Sequence, residues 1–317
     1  VSYYDQTFEP WKIVDGQCVV ADEAEWKKLV ALDQKESSFD QMDPRTIVKV
    51  PTDVFEDFSG PVVTSSGVRI HESKFCWANG PYSKPAPHHV YIKDVLARTF
   101  QTIVSTPHVD YLIVTRHPEL VRENWPIRWV RSEHEYQDDQ FYNVILAAPV
   151  ETQNDIERLV PELMKCHDLC KGLAVVCNPK EELDFRNIPY SDSFCHESNP
   201  AVLNALTGMV HHPATVSFTP DPKEKSRSAL DLIIAEGNEH PIHPDWLRSL
   251  RDQCLDANVK FNLASWGEWL HMSQFPTGTN DLVGIETTGP MHSFFAKVGR
   301  ERSGRLLDGQ EHNGRGQ

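Results

Sequence analysis

The feature that most constrains this chain is an alternation of strand-length apolar runs with helical patterns. Runs rich in β-branched residues occur at Thr46–Thr52, Asp110–Thr115, Asn143–Val150, Lys171–Asn178, Leu230–Glu236 and Lys260–Trp266. At that length, bounded by turn formers, they read as strands buried on both faces. Helical patterns follow several of them. His117–Trp125 carries Pro118 and Glu119 in its first turn, which suits a helix start. Thr152–Leu169 spaces Ile156, Leu159, Val160, Leu163 and Met164 on one face, and Pro161 predicts a kink or a break there. His243–Val259 opens on Pro244 and Asp245 and sets Leu247, Leu250 and Cys254 in an apolar stripe. Strands that alternate with helices require a parallel sheet covered by helices. The predicted class is α/β, a partial or complete (β/α) barrel with parallel strands. A doubly wound sheet is the alternative, because periodicity does not separate the two.

Three stretches break the alternation. Residues 59–89 and 187–227 are rich in turn formers and read as two polar insertions in a single barrel domain spanning 1–298. Residues 299–317 hold arginines among glycines and read as a basic, mobile C-terminal tail. The net charge of −15 over 317 residues argues against sequence-independent DNA binding, which needs Lys and Arg to neutralise phosphates. No apolar run approaches the ~20 residues that span a bilayer, so no membrane association is expected. The opening residues lack the basic start and apolar core of a secretory signal. Seven scattered cysteines do not form a disulfide framework, and a cytoplasmic location is expected (that of the host cell, if the source is viral).

Chemistry-bearing residues gather in a few places. His240 and His243, with Glu236, lie just past a predicted strand, at the edge where barrels build their sites, and suit general acid/base work. The competing role for His243 is to cap the helix that follows. Asp53, Arg116, Glu151 and Gln153 fall at the ends of other strands and would line the same mouth. Trp266 and Trp269 would line it too, by stacking on a ligand, or else close the barrel core. In the first insertion His71, Cys76, His88 and His89 are a candidate metal set, although the spacing of a zinc module is missing. Cys166 and Cys170 would share a face if helical, with Cys177 seven residues on, and buried packing is the competing reading.

Ile242–Cys254, IHPDWLRSLRDQC, followed by Ser265–Trp269, SWGEW, and by Ser303–Gly309, SGRLLDG, resembles the signature of a phage- and prophage-encoded family known as phage protein gp thirty-seven/sixty-eight. Weaker matches occur at Ser2–Trp11, Thr52–Phe55, Thr115–Glu119 and Asn143–Gln153. The resemblance implies a radical-SAM-like barrel whose members carry three cysteines after the opening tryptophan, to hold a [4Fe–4S] centre by thiolate sulfur. This sequence departs from that pattern: after Trp11 it has Cys18 alone, and no further thiol before Cys76. The family's acid positions are also altered, with Asn178 at one and the acid moved within Ala235–Glu239 at another. Taken together, the resemblance and its departures imply a divergent member without an iron–sulfur cluster or S-adenosylmethionine, in which radical chemistry is not expected. They imply a non-catalytic or repurposed binding or accessory protein, partnered with a phage-encoded nucleic-acid-modifying enzyme. The alternative is an enzyme of another class using the histidines and carboxylates named above, with a divalent metal in the insertion.

Overall fold

Seven strands build one sheet, and their order in space is their order in the chain. They are β1 (Gln6–Thr7), β2 (Ile47–Val50), β3 (Asp110–Val114), β4 (Phe141–Val150), β5 (Cys170–Cys177), β6 (Leu232–Glu236) and β7 (Lys260–Ser265). The pairing is parallel, with Val48 opposite Tyr111, and Ile234 opposite both Val176 and Asn262. A doubly wound sheet reverses its strand order at a switch point, whereas this one never reverses. The architecture is therefore a partial (β/α) barrel, flanked by helices. The computed structural model describes residues 4, 6–37, 45–56, 61–65, 69–70, 92–125, 141–190, 201–211, 229–275, 287–288 and 294–314. Among them no helix is long and apolar enough to cross a membrane.

The chain divides into two compact units, and β4 gives Phe141–Ile145 to the first and Leu146–Val150 to the second. The first unit comprises Tyr4–Ile145 with Leu169–Lys171. Its helices are α1 (Glu23–Glu36), α2 (Ile92–Ser105) and α3 (Pro118–Asn124). Helix α1 begins with a capping box, in which Asp22 accepts from the Glu25 backbone and Glu25 accepts in return. Phe100 of α2 packs edge-on against Trp125 and Phe141, and Phe55 stacks on Trp125. The amide of Asn143 reaches the carbonyls of Ile103, Thr106 and Val109 at 2.9, 3.2 and 3.1 Å, tying the end of α2 to β4. That satisfies carbonyls a helix end leaves open.

The second unit holds the rest of β4, β5 from Gly172 on, strands β6 and β7, and helices α4 (Gln153–Met164), α5 (Pro244–Asp256) and α6 (Arg300–Ser303). Helix α4 opens on the Thr152–Asp155 capping box and continues through Pro161 to Met164, so the expected break is absent; the proline lies in its last turn. Leu247, Leu250 and Cys254 of α5 are fully buried, as the stripe predicts. Part of the second insertion folds as a three-stranded antiparallel sheet, Ile188–Tyr190, Ala201–Asn204 and Met209–His211.

The tail does not behave as a free end through Gly314. Leu306–Leu307 and Gln310–Glu311 form a hairpin, Leu307 is fully buried, and Leu263 donates its N–H to the His312 carbonyl at 2.9 Å. Asn313 bridges Asn262 in antiparallel sense, so the segment covers the open edge of β7. An uncovered edge strand would leave a row of unpaired backbone groups.

Candidate functional site

The carboxyl ends of β5, β6 and β7 lie side by side within the second unit, and register decides which side chains share a face. Cys177, Ala235 and Leu263 are lateral partners, and burial, with Cys254 of α5 beside it, pushes the Cys177 thiol up. That face is the one covered by helix. The opposite, concave face carries Val176, Ile234 and Asn262, and after them Asn178 and Glu236 by the alternation of a strand. Extending the Cys177–Ala235 pairing by one residue makes Asn178 and Glu236 neighbours across two strands.

These groups are polar in a place that burial makes costly. Asn262 is completely buried in the middle of β7, and among the described residues neither its Oδ1 nor its Nδ2 has a hydrogen-bond partner. The Oδ1 of Asn178 is buried and likewise has no partner among the described residues. Buried amides are nearly always bonded, and each unbonded group costs about 1–3 kcal/mol. The Glu236 side chain is 13% exposed, with an Arg300 guanidinium nitrogen at 4.0 Å; Arg300 also donates to the Gly237 carbonyl at 3.2 Å. Glu151 pairs with Lys180 at the end of β4.

The loops after β6 and β7 touch through glycine. A Cβ on Gly237 would sit 2.1 Å from the Trp266 carbonyl oxygen, and one on Gly267 would sit 2.3 Å from that of Asn238. Gly267 also has φ +80, which glycine adopts without strain.

Several of the residues expected from sequence at the mouth make structural hydrogen bonds. His243 is the N-cap of α5, its Nδ1 accepting from the Asp245 N–H at 3.3 Å, and His240 is exposed. Trp266 is fully buried with its indole N–H on the Leu306 carbonyl, and Trp269 donates to the Glu239 carbonyl. Neither ring offers an open stacking face. Gln153 exchanges both amide bonds with the Asp184 backbone, which fastens a loop. Asp53 and Arg116 belong to the first unit, where the Asp53 carboxylate accepts from Thr115 Oγ1 at 2.7 Å and from the Arg116 N–H at 2.6 Å. His71, Cys76, His88 and His89 lie outside the described residues.

The sequence reading missed Asn262, and named Asn178 only as a departure from the family pattern. The available signal was an amide inside, or ending, an otherwise apolar strand.

The described cysteines are not arranged for an iron–sulfur cluster, and Cys76 and Cys195 lie outside the described residues. Cys18 sits in the strand Gln17–Val20, fully buried, and burial pushes its thiol up to about 11, far from a thiolate. Cys166 lies in the turn after α4 and Cys170 opens β5, so the two do not share a helix face. Both are buried. Among the described residues, no three His, Cys, Asp or Glu side chains are grouped to hold a metal ion.

Residues 86–315 match a family described as "Protein of unknown function (DUF5131)". The chain belongs to this family. The matched DUF5131 region takes in β3 to β7 and the hairpin that covers β7, so the concave face described above lies inside it. No curated protein and no solved structure matches the chain.

Proposed function

We propose that this protein is a binding protein that holds a polar small molecule against the concave face of β5 to β7, and that it performs no radical chemistry. The observation that carries the reading is the set of buried, unpartnered amide atoms on Asn178 and Asn262. A ligand with donors and an acceptor on one side would satisfy them, and Glu236 would take a further donor at the rim. This reading agrees with descent from a phage-type radical-SAM-like barrel whose cluster loop has been lost, since Cys18 is a packed, protonated thiol. On that resemblance the protein acts as an accessory to a phage-encoded nucleic-acid-modifying enzyme.

Two measurements test it. Anaerobic reconstitution with iron and sulfide is expected to give no thiolate-to-iron absorbance, and stoichiometric cysteine-bound iron would reverse the proposal. Native mass spectrometry of the protein as purified is expected to show a retained small molecule, lost in the Asn178→Ala/Asn262→Leu double variant. If wild type and variant carry the same mass of ligand, or none, the binding role falls.

A further inference from the structure

The second unit holds another opening, independent of the concave face: a cleft of about 300 Å³ where the last turn of α5 meets the C-terminal hairpin. Leu255, Val259 and Phe261 form its apolar side, and Arg251, Asp252, Gln310 and His312 its polar side. Packing leaves two of these residues unexplained. Leu255 is 70% exposed, although the buried stripe of α5 is already complete in Leu247, Leu250 and Cys254. The Nε2 of His312 is buried without a hydrogen-bond partner among the described residues, while its ring stands edge-on to Phe261 at 5.7 Å. A large apolar side chain in water and a buried polar nitrogen without a bond would both be relieved by one ligand.

Charge selects the ligand's class. Arg251 is held by Asp252 at 2.8 Å and lies 3.7 Å from Asp308, whose oxygens are bound chiefly by Arg248. Asp245 also pairs with Arg248. Within the lining the Arg251 guanidinium and the Asp252 carboxylate are already paired, so an added anion meets Asp252, an added cation meets Arg251, and neither meets an unanswered opposite charge. Burial, with the Arg251 charge beside it, lowers the His312 pKa, so the ring is neutral and offers one donor or one acceptor. A volume of this size, with an apolar wall and a flat guanidinium, suits a small planar ring system.

We propose that this cleft binds a neutral planar heteroaromatic molecule of nucleobase size, whose hydrogen-bonding edge meets His312 Nε2 and the Gln310 amide while its face lies against Leu255 and Val259.

Calorimetric titration of the full chain tests this, with adenine and benzamide as neutral probes and benzoate and benzylamine as charged ones. Adenine is expected to bind saturably, and each charged probe at least ten-fold more weakly. His312→Phe, which keeps the ring and removes the nitrogen, is expected to weaken adenine at least ten-fold. Leu255→Glu, at an exposed position that does not threaten folding, is expected to do the same. The Asn178→Ala/Asn262→Leu variant should bind adenine as wild type does, which separates this cleft from the concave face. The proposal is overturned if neither neutral probe binds, if benzoate or benzylamine binds as well as adenine, if the His312 and Leu255 variants keep wild-type affinity, or if adenine binding disappears with the two asparagines.

Discussion

The guanidinium of Arg248 grips both oxygens of Asp308, with Nε 2.9 Å from one and Nη2 2.5 Å from the other. This fork joins α5 to the C-terminal hairpin, and Gln274 adds a further bond to the same carboxylate at 3.1 Å. The contact explains why an arginine-rich end that looks solvated in sequence is fastened to the barrel.

The Asp308 carboxyl is accordingly held down to about 2, chiefly by its hydrogen bond to Arg248, and its unfolded value is close to 3.8. A lowered carboxyl contributes stability above its unfolded pKa and loses it as pH falls through the folded one. The hairpin should therefore loosen between about pH 4 and pH 2. Hydrogen exchange at Leu306–Glu311 across that range checks this. In Asp308→Asn the pH dependence should be much reduced. The fork is partly exposed, so the effect on global stability is expected to be small.

Asn143 is a structural amide, in contrast to Asn178 and Asn262. Replacing it with Ala leaves the Ile103, Thr106 and Val109 carbonyls without its donors, at an expected cost of about 2–3 kcal/mol. Urea unfolding would measure it, and a loss below about 0.5 kcal/mol would contradict the role given to this side chain.

Asn262→Leu should behave in the opposite way in the absence of ligand. It replaces two unbonded polar atoms by an apolar side chain of similar volume, so the thermal midpoint is expected to hold or rise. A fall of several degrees would mean that the amide has bonds in the apo-protein.

Gly237→Ala should be among the most damaging small substitutions, because the new methyl falls 2.1 Å from a backbone oxygen that no side-chain rotation can move. A loss of about 3 kcal/mol or more in unfolding free energy is expected, against about 1 for an ordinary mutation. Circular dichroism melts of the two proteins decide it.

Cys18 should resist alkylation at neutral pH, since only the thiolate reacts and its pKa stands near 11. Peptide mass mapping after iodoacetamide should find it unmodified in the native state and modified after denaturation.

Much of this architecture is legible in the chain because it rests on local periodicity. The apolar runs at 110–115, 143–150 and 260–266 correspond to β3, β4 and β7, and the His243–Val259 stripe became α5 with its buried Leu247 and Leu250. The sequence also marked the carboxyl edge of the strands as the place to look. Tertiary structure decided what it could not express. Whether a row of parallel strands curls one way or reverses depends on which strands pair, and pairing links residues far apart in the chain. The same is true of the tail, where Leu263 and His312 share a hydrogen bond across 49 positions. It holds for the site too: His240 and His243 have the chemistry of catalysis, but one is exposed and the other caps a helix. Asn178, Glu236 and Asn262 come to one face only through the pairing of β5, β6 and β7, whose β6–β7 register shifts between Ala235 and Glu236, since a strand's alternation assigns sides but not neighbours.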